Sequence, residues 1–224
     1  MKSSAFPLLI LCLCLAACAT ERPVSILEMA ATRDEAVSQG CVSIFPRGRW
    51  QFIHSIEFSL QDGSGSTVIG VTSLDGDEIA CALMTVEGFT LFEAVARRGG
   101  ALEVRRAVPP FDKPAFAQGL MHDVRLIFLA PATENVRYGR LADNTPVCRF
   151  TGDDGRVTDI MPAVAGCWQI NTFTAELTMD RSLVGRSCRK TGDTPIPAYL
   201  ELKHFGQGDY ALKMNLINAE NLNR

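Results

Sequence analysis

The sequence predicts a mainly β protein: an antiparallel open half-barrel with one long helix covering its concave face. Three observations carry this. Asp112–Leu129 is a single long helical pattern. The rest of the chain from Arg49 onward reads as a run of short strands parted by Gly-rich turns. Neither an internal repeat nor a low-complexity linker divides them, so the strands and the helix share one core.

The helix comes first because the strands are arranged about it. Phe116, Leu120, Val124 and Ile127 recur at helical spacing, and Met121 and Phe128 widen the stripe. Asp112 is expected to cap the first turn, Pro114 sits where its missing N–H does no harm, and Pro131 discourages continuation.

The strands follow from alternation. In Arg49–Leu60, Trp50, Phe52, His54, Ile56 and Phe58 share one face. Thr67–Ser73, Glu78–Thr85, Phe89–Arg97 and Ala101–Val108 continue the series, with turns at Asp62–Ser66, Leu74–Asp77 and Gly99–Gly100. After the helix come Val136–Leu141, Pro146–Phe150, Arg156–Met161, Cys167–Phe173, Leu183–Lys190, Pro197–Phe205 and Tyr210–Asn218. Such a run makes a meander, a barrel or an open half-barrel.

Residues 1–17 are a leader. Lys2 precedes the apolar run Leu8–Ala17, which is too short for a span of about 20 residues. Leu15–Ala16–Ala17–Cys18 resembles a bacterial lipobox. That resemblance implies cleavage before Cys18, lipidation of its thiol and acylation of its amine. Ala19 in place of Asp points to the outer membrane, with the protein facing the periplasm. Residues 18–40 are expected to hold the lipidated N-terminus, a tether over Ala19–Leu27 and a short helix over Glu28–Ser38; residues 41–224 form the single β domain.

Composition narrows the function. Hydrophobic residues make up 47% of the 224, enough for a sizeable core. The net charge is -3, and removing the leader with its Lys2 makes the balance more negative. Basic residues are scattered, which argues against nucleic acid. Arg97–Arg98 and Arg105–Arg106 read as solvated strand edges. The three histidines, His54, His122 and His204, lack metal-ligand spacing, and His54 with Glu57 would face opposite ways on a strand. Asp153–Asp154 reads as a turn, and the glycines Gly63, Gly65 and Gly70 miss a dinucleotide fingerprint. No enzymatic activity, metal or cofactor is expected. Of the five cysteines left in the body, Cys167 and Cys188 lie on successive strands, where a cross-strand disulfide is geometrically reasonable; Cys81 reads as a small buried hydrophobe.

The lipobox, the meander, the interrupting helix and the closing strand pair together resemble the bacterial lipoprotein-sorting carriers of the LolA/LolB fold. The likeness is clearest in Ala80–Val95 and Ile196–Leu216. It is closer still to a lipoprotein branch that accompanies aryl-polyene pigment biosynthesis. The resemblance implies lipid chains held between a concave sheet and a helix, a membrane lipid or lipidated cargo as partner, and a periplasmic carrier protein as donor. Where the outer-membrane receptor exposes a Leu on the loop before a Gly, this chain has Glu87, and a carboxylate should not enter a bilayer readily. Trp50, Phe58, Phe89, Phe92, Phe116, Leu120, Val124, Ile127 and Trp168 are the candidate lining of the apolar space. The alternative is a scaffolding envelope lipoprotein whose helix stripe fills a solid core and whose partner is a protein.

Overall fold

A computed structural model describes residues 24–32, 43–97, 100–131, 135–163, 167–191, 194–206 and 208–223. The expected leader and the lipidation expected at Cys18 lie outside them. Thirteen strands form one antiparallel sheet: β1 (Ala30–Ala31), β2 (Trp50–Leu60), β3 (Gly65–Asp75), β4 (Glu78–Met84), β5 (Thr90–Arg97), β6 (Leu102–Ala107), β7 (Val136–Arg140), β8 (Pro146–Thr151), β9 (Val157–Met161), β10 (Trp168–Phe173), β11 (Met179–Thr191), β12 (Thr194–His204) and β13 (Tyr210–Asn221). The spatial order is β1-β7-β8-β9-β10-β11-β12-β13-β2-β3-β4-β5-β6. The sheet does not close, since β6 and β1 end the row. Among the described residues one helix, α1 (Pro114–Phe128), lies across it.

Alternation decides which face is buried. In β2, Trp50, Phe52, His54 and Ile56 are buried, while Gln51, Ile53 and Ser55 between them are half-exposed and Glu57 is exposed. A meander with one covered face gives this pattern. The covering comes from α1, whose Ala117, Met121, Ile127 and Phe128 join one core cluster with Phe52, Phe92, Trp168, Leu183 and Leu200. His54 and Glu57 thus point to opposite faces, as their spacing requires.

The helix differs from expectation at its start and in its phase. Lys113 occupies the cap position, and no side chain caps the helix, so Asp112 does not serve. Phe116 stays at the surface, edge-on to Phe111, and the buried side rotates to take in Ala117 and Asp123. An aspartate is buried there because β11 and β13 supply partners for it, which periodicity cannot reveal.

The N-terminal segment is a second departure. Val24–Leu27 is not a free tether. Ser25 bridges Thr178 in the β10–β11 turn, and the Val24 carbonyl accepts from the Met179 N–H at 2.8 Å. Ala30–Ala31 is a strand paired with Arg140 and Gly139 where the helix Glu28–Ser38 was expected; residues 33–38 lie outside the described chain. This strap runs over the outer face of β8 and β9, so β8 is buried on both faces. Beneath it Arg149 makes a two-point ion pair with Asp159 at 2.7 Å, and donates to the Leu27 carbonyl at 2.9 Å. Gly139 permits the close passage: a Cβ there would lie 2.5 Å from the Ala30 carbonyl oxygen.

Candidate functional site

The space between α1 and the sheet is nearly full. A cavity of about 20 Å³ remains, lined by Phe52, His54, Ile127, Phe128, Trp168 and Leu200 among others. That is room for about one water. A larger cavity of about 260 Å³ opens at the C-terminal end of the helix, where Leu129 and Ala130 face Phe45, Leu74 and Gly76. Phe128 and Pro46 line both, so the ring of Phe128 stands where the larger space adjoins the smaller one. That ring packs on Phe52 and His54, with centroids 4.9 and 6.0 Å away.

The expected lining residues separate into four groups. Ile127 and Trp168 line the smaller cavity. Trp50 and Phe92 are buried in the core, Trp50 stacked on Phe52 and donating its indole N–H to the Arg47 carbonyl at 3.0 Å. Leu120 and Val124 are partly buried against that core, and Phe58 is half-buried beside Tyr210. Phe89 and Phe116 are exposed. Sequence reasoning missed Phe128 as a divider, and missed Phe52, Pro46 and Leu200 as wall. It treated Phe128 as an edge of the stripe, whereas the last turn is the one that reaches the mouth.

A polar cluster pins the middle of the helix. Asp123 accepts from Arg181 Nε at 2.6 Å and from the Tyr210 hydroxyl. Arg181 also pairs with Asp180, and His204 Nε2 lies 3.6 Å from Asp180. Burial alone would lower the Arg181 pKa, but the Asp123 carboxylate outweighs it and holds the guanidinium above its usual value. Burial, reinforced by the same carboxylate, pushes the Tyr210 phenol up. Burial also holds His54 down to about 4, so it is neutral at ordinary pH. Cys81 is buried and its thiol is pushed up to about 12, which makes it an unreactive part of the wall. Among the described residues no group of three His, Cys, Asp or Glu is placed to hold a metal ion.

Cys167 and Cys188 are disulfide-bonded, with Cα atoms 5.7 Å apart. Cys148 is also disulfide-bonded, with a partner outside the described residues. Trp168 Nε1 is buried without a hydrogen-bond partner. No described helix is long and apolar enough to cross a membrane.

The geometry defines a class: an open, LolA-like antiparallel half-barrel with a helix laid over its concave face. Comparison with protein-family profiles gives no match, and comparison with curated protein sequences gives none. Solved structures do match. A LolA superfamily protein from Nitrosomonas europaea superposes with a TM-score of 0.57 at 11% identity, over 87% of this chain and 96% of that one. A candidate outer-membrane lipoprotein-sorting domain from Vibrio parahaemolyticus gives 0.53 at 8%, over 84% and 92%. At such identities the likeness is one of fold.

Proposed function

We propose that this chain is a lipid-anchored lipoprotein of the outer membrane, facing the periplasm. It takes up the apolar tail of an amphiphile beside α1 and aids its transfer or localisation without catalysing a reaction. The tail is an acyl chain or a conjugated polyene of the aryl-polyene kind, delivered by a periplasmic carrier. The observation that carries the reading is the pair of adjoining cavities, about 260 and 20 Å³, with the Phe128 ring lining both. Turning that ring aside would let a chain pass from the open space toward Trp168. The lone indole N–H of Trp168 there could donate to a carbonyl of the ligand. Transfer between such walls needs no cofactor, because it is a partition between apolar environments. The likeness to a lipoprotein-sorting domain supports the reading.

Native mass spectrometry of the protein, extracted gently from membranes, is expected to show a bound lipid, with the covalent acyl mass on Cys18. Repeated absence of bound lipid, with no uptake of a fluorescent fatty acid, would overturn the carrier reading. The filled space under the helix favours the second reading, a scaffold with a solid core. It is supported if one protein partner co-purifies in fixed ratio and no lipid does.

A further inference from the structure

The two ends of the sheet differ in what they expose. The turns β2–β3, β4–β5, β8–β9, β10–β11 and β12–β13 all lie at one end, as the registers Ser59↔Gly65, Met84↔Thr90, Thr151↔Val157, Phe173↔Met179 and His204↔Tyr210 require. The start of α1 lies there too, next to the last strand turn, since Val108 donates to the Leu91 carbonyl at 2.9 Å. Among the described residues ten large hydrophobic side chains are exposed, and seven stand at this end. They are Leu60, Val86, Phe89, Phe116, Leu177 and Phe205, together with Val24 of the strap. The other three, Leu27, Val104 and Ile217, lie along the flanks. The opposite end has Asp75, Gly76, Asp77 and Glu78 in its β3–β4 turn and Asp143 and Asn144 between β7 and β8.

Two further facts indicate what covers these tips. Leu177 is 42% exposed and has φ of 61°, a conformation that suits glycine and strains a bulky side chain. The fold accepts that strain to present a leucine to solvent. Val24, bound to the same β10–β11 turn, is six residues beyond Cys18. Six residues span at most about 21 Å. An acyl anchor on Cys18 therefore holds the bilayer close to this end.

We infer that this end of the sheet is a membrane-docking face, whose apolar turn tips rest in the interfacial layer of the bilayer beside the anchor. The contact involves the four of these five turns that carry apolar tips, together with the helix start, and the β4–β5 loop is one corner of it; the β8–β9 turn carries none. It is shallow, because Asp62, Glu87, Asp154 and Glu176 in the turns of this end are exposed carboxylates. Hydrogen bonds within their own turns hold all four below their usual range, so they stay charged. Such a face prefers zwitterionic headgroups, which present an outward ammonium, to anionic ones. The cavity at the end of α1 then lies at the far end from the bilayer, where a soluble donor can reach it. This orientation rests on the anchored reading above.

Tryptophan placed at the tips reads the orientation. The acylated mature chain is reconstituted in phosphatidylcholine vesicles with brominated acyl chains, and the signal of the native Trp50 and Trp168 is subtracted. Phe89→Trp and Phe205→Trp are expected to be quenched at least twofold more than Asp77→Trp at the opposite end. Leu177→Gly, which relieves the backbone, is expected to keep or raise the melting temperature while weakening vesicle binding of the non-acylated chain severalfold. Binding of that chain should also fall when phosphatidylglycerol replaces half of the phosphatidylcholine. Equal quenching at both ends, or none at the tips, overturns the docking face and assigns the tips to a protein partner. Dilution-resistant flotation reports the anchor separately. Its loss with the order of quenching kept at high lipid concentration would remove the anchor and leave the face standing.

Discussion

At the scale of single residues, the site depends on one ring and two buried polar groups. Phe128 lines both cavities, so Phe128→Ala should join them. The loss of its contacts with Phe52 and His54 should cost about 3–5 kcal/mol in denaturant unfolding. Uptake of a fluorescent fatty acid by the variant should rise at the same time; a fall in both would show that the ring does not guard an entrance. His54 gives a pH signature. Its folded pKa of about 4 lies below the ordinary value of 6.5, so the unfolded chain takes the proton first. The folded state is fully favoured above pH 6.5 and loses stability as the pH falls toward 4, by about 1.4 kcal/mol per unit. His122 is shifted in the same direction, by burial first and then by Arg181. His54→Gln should flatten that limb, so wild type and variant should converge in relative stability between pH 7 and pH 4.5 by about 2–3 kcal/mol. An unchanged acid limb would mean that His54 is solvated. Asp123→Ala leaves a buried guanidinium short of a partner and should cost about 3–5 kcal/mol. Amide exchange across α1 should then rise more than in strands that do not touch the helix.

At the scale of elements, the strands were legible and the surroundings of the helix were not. Alternation in Arg49–Leu60 or Tyr210–Asn218 identifies a strand because one face is buried and the other is wet. The helix was visible for the same reason, but its phase was misjudged at Phe116 and Asp123. Burial of Asp123 is set by Arg181 and Tyr210, which are 58 and 87 residues away in sequence. The strap was read as tether and helix because Ala30–Ala31 carries no strand signal of its own; it pairs only because β7 offers a free edge and Gly139 leaves room. The Cys167–Cys188 bridge was legible from its place on neighbouring strands. It closes a 21-residue separation, and replacing both cysteines by serine should cost about 3 kcal/mol, read from urea midpoints with and without reductant. A reductant effect that persists in the double variant would point to the bridge at Cys148 instead.

At the scale of the whole molecule, the chain is polarised. One end carries the start of the strap and the apolar tips, and the other carries the larger cavity. Between them the helix covers a sheet that stays open because β6 and β1 do not meet. Seven of the ten exposed large apolar side chains among the described residues collect at the end where, on the proposed reading, the lipobox cysteine holds the membrane. On the proposed reading, the cavity at the opposite end separates uptake from anchoring. In the resting form about 20 Å³ is free beneath the helix, so uptake must displace Phe128.

That displacement can be observed with a brominated fatty acid, because Trp168 lines the inner cavity beside Phe128. The account predicts saturable quenching of tryptophan fluorescence on titration with brominated palmitate. Most of it should be lost in Trp168→Phe, and the midpoint should move to lower concentration in Phe128→Ala. Fluorescence that stays flat in wild type and in Phe128→Ala, with both proteins folded, would contradict it.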